Sequence, residues 1–140
     1  MFLLDTNVVS ELRKLGDGRA DVRVAAWVAT QDASSFYVSG LPLMELEIGI
    51  LRIVRRDTAQ AARIRAWMDQ RVLPEFRDRT LAIDATVALR CARIHVPDPL
   101  AERDALIAAT GLVHGMAVVT PNVADYRATG VPLINPWSEA

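Results

Sequence analysis

Phe2-Leu3-Leu4-Asp5-Thr6-Asn7-Val8 decides the architecture. Three apolar residues stop at a carboxylate, a hydroxyl and an amide, so the stretch reads as a short strand delivering polar groups at its carboxyl end. Val8 to Leu15 then reads as a helix closed by the turn at Gly16-Asp17-Gly18. The alternation continues outward. Asp21 caps a helix to about Thr30, and Phe36-Tyr37-Val38 is a second strand. After Ser39-Gly40, Pro42 suits the start of a helix reaching about Val54. Asp57-Thr58 caps another to about Val72, with Pro74 beyond it. Leu81-Ala82-Ile83 is strand-like, and Asp84 caps a helix to about His95. Pro97 and Pro99 interrupt the chain before a helix from about Ala101 to His114. Ala117-Val118-Val119 is a buried strand, and Leu133-Ile134 is the last, before Asn135-Pro136-Trp137. Strands alternating with helices imply an α/β fold with a mostly parallel central sheet of four to five strands, covered on both faces. In such sheets ligand sites gather at the carboxyl ends of the strands.

The bulk properties agree with one domain spanning residues 1–140. Hydrophobic residues at 51% against 24% charged describe a globular chain and exclude a disordered one. No apolar run reaches the length of a membrane helix, and no basic leader precedes Asp5, so a cytoplasmic, membrane-free protein is expected. Cys91 has no partner for an internal disulfide and reads as a buried thiol. The net charge of −1 does not demand a nucleic-acid partner. Lys14 is the single lysine, however, and the other basic residues are arginines, whose planar fork suits phosphate. Four carboxylates committed to metal would leave the remaining surface net basic.

Four carboxylates fall where strands end. Asp5 follows the first strand, Glu45 lies early in the helix after the second, Asp104 opens the helix before the fourth, and Asp125 follows the fourth. At 100° per residue Glu45, Gly49, Arg52 and Arg56 share one stripe, away from Leu43, Leu46, Ile50 and Val54. The helix of Asp104 is apolar almost all round, and Asp104 shares its stripe with Ala101, Ala108 and Gly111, small residues read as leaving open space beside the carboxylate. An unpaired buried charge is costly, and a bound cation would remove that cost. Oxygen ligands without cysteine or paired histidine favour magnesium or manganese, ions suited to phosphodiester hydrolysis.

Plainer roles compete for each residue. Asp5, Asp84 and Asp125 are each placed to cap a helix or turn, and Asp84 is assigned that role. Glu47 lies towards the apolar side and suits a buried ion pair with an arginine. Asp98 and Glu102 flank Asp104 as alternative ligands, with a solvated loop as their default. His95 and His114 are too far apart for a local metal pair and fit helix C-termini. Trp27, Trp67 and Trp137 read as packing residues. A haloacid-dehalogenase-type phosphatase would need a second aspartate at position seven and a later lysine; the chain has Asn7 and only Lys14. An interaction module whose acids serve structure alone is a further alternative.

At these residues the chain resembles the PIN domains, and within them the toxin ribonucleases of VapBC type. Leu3-Leu4-Asp5-Thr6-Asn7-Val8 is similar to the family's opening motif, and Ser39 through Met44-Glu45-Leu46-Glu47-Ile48-Gly49 to its second. Asp104-Ala105-Leu106-Ile107-Ala108-Ala109-Thr110 matches the third, and Val118-Val119-Thr120 with Asn122 and Asp125-Tyr126 resembles the fourth. Asn135-Pro136-Trp137 is similar to the ending of the FitB-like branch. The resemblance implies a PIN-like three-layer α/β/α sandwich. It implies Asp5, Glu45, Asp104 and Asp125 as ligands, direct or through water, of one or two Mg²⁺ or Mn²⁺ ions that activate the attacking water. Thr6, Asn7, Thr120 and Asn122 would orient waters or carboxylates around them. It further implies endoribonuclease activity, a homodimer, and a VapB-like antitoxin. The antitoxin would dock along the helical pair after Ser39 and block the metal site with a basic side chain. A PIN ribonuclease of RNA processing, without an antitoxin, is the alternative within the family. One departure is Pro121, where many relatives carry arginine; proline offers neither charge nor an amide donor.

Overall fold

Leu3 and Leu4 point to opposite faces of their strand, as successive strand residues must, and so found two cores. The strand, β1 (Phe2–Leu4), is central in a five-stranded parallel sheet of order β3-β2-β1-β4-β5. The other strands are β2 (Phe36–Ser39), β3 (Thr80–Leu81), β4 (Ala117–Val119) and β5 (Leu133–Ile134). This computed structural model describes residues 1–138; Glu139 and Ala140, the last two of the expected domain, lie outside them. Leu4 and Val119 enter one core with Val8, Val9 and Val38. Leu3 and Val118 enter the other with Ile107, Ala108 and Tyr126. Full burial of each such aliphatic side chain contributes roughly 1.5–3 kcal/mol relative to exposure.

Helices cover both faces. On the first lie α1 (Thr6–Gly16), α2 (Val22–Ala29), α3 (Gly40–Ile53) and α4 (Thr58–Trp67), which bring Val8, Val9, Trp27, Ile50 and Ile64 to the sheet. On the second lies α7 (Glu102–His114), with α6 (Ala85–Ile94) packed against it through Val87, Cys91, Ala105 and Ala109. The expected three layers are therefore present. Asp21, Asp57 and Asp84 each accept backbone N–H bonds at the start of α2, α4 and α6. Cys91 is a buried free thiol.

Local details depart from the sequence reading. β3 is Thr80–Leu81, one residue earlier than expected, because Ala82 and Ile83 already lead into the Asp84 cap. The helix begun at Asp57 does not run regularly to Val72. It widens after Trp67 into a π-helical turn, Met68–Val72, and tightens into α5 (Leu73–Glu75). A short helix absent from the sequence reading, α8 (Val123–Tyr126), follows β4.

The chain builds the sheet outward from β1 through β2 to β3, then returns to the opposite side of β1 for β4 and β5. Its direction therefore reverses between β1 and β4. Such a reversal leaves a crevice beyond the carboxyl ends of the two strands.

Candidate active site

Asp5 stands at that reversal, immediately after β1, and Thr120 stands opposite it, immediately after β4. The Asp5 amide donates to the Val119 carbonyl at 3.0 Å, carrying the ladder one step beyond the strand. The Thr120 hydroxyl donates to Asp5 Oδ2 at 2.8 Å, and the Thr6 amide to Oδ1 at 2.7 Å. Asp5 is only 6% exposed. Burial raises its pKa against those hydrogen bonds, and the charge of Asp125 raises it further.

Glu45 and Asp104 reach the same place from other elements. Glu45 sits in the second turn of α3, whose start is fixed by the Ser39 hydroxyl accepting from the Leu41 amide. Its pKa is raised first by burial and then by Asp5; Asp104 adds to the rise, while Arg103 opposes it. Asp104 lies in the first turn of α7, where exposed N–H groups would ordinarily favour a carboxylate. Burial, Asp5 and Asp125 outweigh that and raise its pKa as well. Asp125 projects from α8 and is exposed, yet its charge is felt at both Asp5 and Asp104. The charges of all four carboxylates named from the sequence are thus linked through Asp5 and Asp104. Among the described residues no three carboxylate, histidine or cysteine side chains stand close enough together to hold a metal ion as they are placed. An open acidic cleft of this kind suits a hard ion that keeps part of its water, as Mg²⁺ does.

Two hydroxyls complete the cleft. The Thr6 hydroxyl faces Glu45, but among the described residues its buried oxygen has no hydrogen-bond partner. A buried polar oxygen left over beside carboxylates fits a cation or its water. Tyr126, fully buried, donates its hydroxyl to Asp104 Oδ1 at 3.3 Å. Burial and the surrounding charges of Asp5, Asp104 and Glu45 push its pKa up, so the phenol remains a donor. The role of Tyr126 escaped the sequence reading, which took it only as the last residue of the motif ending Asp125-Tyr126. Its signal was its place one residue after an acid on a single helical turn, which turns one side chain outward and the next inward.

The remaining candidates separate. Asn7 and Asn122 are exposed, and among the described residues neither side chain bonds to the acids; the Asn122 backbone N–H instead donates to the Thr120 hydroxyl at 3.0 Å. Glu102 opens α7 and Asp98 lies in the loop before it, and both are exposed. Glu47 pairs through both oxygens with Arg65, but this pair between α3 and α4 is half-exposed rather than buried. His95 and His114 close α6 and α7. Two turns along its stripe from Asp104, a Cβ on Gly111 would meet the Met116 carbonyl and Val131 at 3.0 Å, so at that position the small residue serves close packing.

This chain belongs to the PIN-domain family, whose pattern it matches over residues 2–128. It is 32% identical to the VapC ribonuclease Y4jK of Sinorhizobium fredii, with all of both chains covered. It is likewise 32% identical to the toxin FitB of Neisseria gonorrhoeae, over 99% of this chain and 100% of the relative. Among solved structures, FitAcB from Neisseria gonorrhoeae superimposes with a TM-score of 0.86 at 30% identity, covering 98% of this chain and 99% of that one. No helix among the described residues is long and apolar enough to cross a membrane.

Proposed function

We propose that this chain is the toxin of a type II toxin–antitoxin pair, an endoribonuclease hydrolysing RNA phosphodiester bonds with Mg²⁺ or Mn²⁺ held by Asp5, Glu45, Asp104 and Asp125. The observation that carries this reading is that Asp5, Glu45 and Asp104 have raised pKa values beside the sheet's reversal, where the charge of Asp5 reaches the other two and that of Asp125 reaches Asp5 and Asp104. A fold gains nothing by gathering such charges unless a cation neutralises them. The all-oxygen donor set, with the unpartnered Thr6 hydroxyl among it, matches a hard divalent ion. A bound ion would polarise the scissile phosphate and steady the leaving oxygen.

The chain's own residues supply position. Thr120 fixes one oxygen of Asp5 and the α1 backbone fixes the other. Tyr126 orients Asp104 from the buried side. Arg103, whose charge reaches Glu45, stands at the rim where a substrate phosphate would approach. The ribonuclease name of one relative and the toxin name of another support the activity and the role. A structure 30% identical in sequence, FitAB on a DNA fragment, supports a DNA-binding antitoxin as partner. A homodimer and a cytoplasmic place of action complete the proposal.

Calorimetric titration with Mn²⁺ tests the site. Saturable binding to the wild type that is lost in Asp104→Asn is the expected result. No saturable binding to the wild type would leave an interaction module with structural acids.

A further inference from the structure

A concavity of about 580 Å³ lies between α1 and the segment from α4 to α5, away from the acids. A smaller groove of about 280 Å³ begins at Thr6 and Glu45 in the acidic cleft. The two share Arg13 and Trp67 in their walls and so adjoin there, a trough in two parts with the smaller next to Thr6 and Glu45.

Charge in the larger part of the trough is one-sided. Its two far acids, Asp17 and Glu75, are taken up by Arg19 at 2.9 Å and Arg79 at 2.7 Å. Arg13, Arg63 and Arg71 make no ion pair among the described residues, although all three line the wall. Arg63, Trp67 and Arg71 follow at four-residue steps, and the π-helical turn after Trp67 carries Arg71 onto the same wall. The Arg13 guanidinium lies 6.0 Å from the centre of the Trp67 ring.

We propose that this trough carries the RNA strand on one side of the scissile bond, with Arg13, Arg63 and Arg71 meeting backbone phosphates and Trp67 offering an aromatic surface. The inference rests on the nuclease reading and names the path of its substrate. Cationic walls with an aromatic patch are the usual means of holding a single strand without reading its sequence. Guanidinium forks bind phosphate oxygens in pairs, and a polyanion brings one charge per nucleotide. The smaller part reaches Thr6 and Glu45, so a strand passing Arg13 and Trp67 from the larger part would bring a following phosphate towards the carboxylates.

Fluorescence anisotropy with a labelled single-stranded RNA of about 16 nucleotides tests this. The measurement is made in chelator, which prevents cleavage, on the wild type and on Arg63→Ala/Arg71→Ala. The double variant is expected to bind at least about fivefold more weakly, with its salt slope lowered by about 1.4. Its Mn²⁺ titration should match the wild type, because neither residue touches the acids. Arg63→Lys/Arg71→Lys should recover most of the affinity, which separates charge from folding. Unchanged RNA affinity and slope in the alanine variant, with Mn²⁺ binding intact, would overturn the trough and leave the nuclease reading standing. Loss of an acidic protein partner without loss of RNA would also overturn it, assigning these arginines to that partner. Arginine-dependent RNA binding in a wild type that fails to bind Mn²⁺ would support the trough and overturn the nuclease.

Discussion

Asp5 uses Oδ1 to accept from the α1 backbone and Oδ2 to accept from Thr120, so a cap and a site coexist in one side chain. The two roles that the sequence left open for Asp5 are therefore compatible in geometry. Tyr126 was harder to see, because nothing in composition separates a tyrosine that fills a core from one whose hydroxyl meets a carboxylate. Tyr126→Phe keeps the ring and removes only that hydroxyl. Mn²⁺ affinity, read by titration, should fall by about tenfold, within the range seen when a group holding a ligand is removed. An unchanged affinity would make Tyr126 a packing residue alone. The acids also set a pH dependence. Asp5, Glu45 and Asp104 have folded-state pKa values raised above their unfolded ones, so ionising them opposes folding as pH rises through the folded values. In chelator at neutral pH, Asp104→Asn should melt about 3 °C above the wild type, a difference of on the order of 1 kcal/mol. The gap should close on acidification towards about pH 4, where the carboxyls protonate in both states. Calorimetric melting across that range reads it, and a variant less stable at every pH would contradict the repulsion.

At the scale of elements, periodicity and capping placed the starts of the long helices to within a residue or two; all but α7, which begins after Ala101, carry an aspartate or serine where the first amides need an acceptor. The failures have physical causes. A π-helical turn inserts extra residues per turn without changing composition, so Met68–Val72 read as ordinary helix. Two-residue β3 and four-residue α8 are too short to show a period. The stripe of Ala108 and Gly111 was legible as small, but small residues permit a void or a close contact equally well. The contact decides Gly111. Gly111→Ala places a methyl 3.0 Å from the Met116 carbonyl and from Val131, and 3.2 Å from Val118. Part of that neighbourhood is backbone and cannot swing away. A loss of about 1–3 kcal/mol is expected by chemical denaturation. Glu47→Gln tests the opposite case. The half-exposed pair with Arg65 should be worth less than about 1 kcal/mol.

For the molecule as a whole, the reversal of sheet order between β1 and β4 does most to define the site. It brings together residues 115 positions apart, Asp5 and Thr120, which local sequence cannot announce. The order of the motifs along the chain and the rule for open sheets made that meeting foreseeable; the inward turn of Tyr126 and the trough of arginines needed coordinates. The overall charge of −1 hides this division between an acidic cleft and a basic wall. Pro121 lies beside the cleft, and the hydrogen bond from the Asn122 amide to Thr120 does not involve it. Pro121→Arg should therefore keep the loop and tighten RNA binding about threefold at low salt, with the gain lost as salt rises; equal affinity at low salt would contradict this. The most direct test of the whole is cleavage of a structured RNA pool by purified wild type and Asp104→Asn, each with Mn²⁺ and with chelator. Cleavage only by the wild type with Mn²⁺ is the predicted result. Equal cleavage by Asp104→Asn, or cleavage that survives chelation, would contradict a metal centre built on these carboxylates.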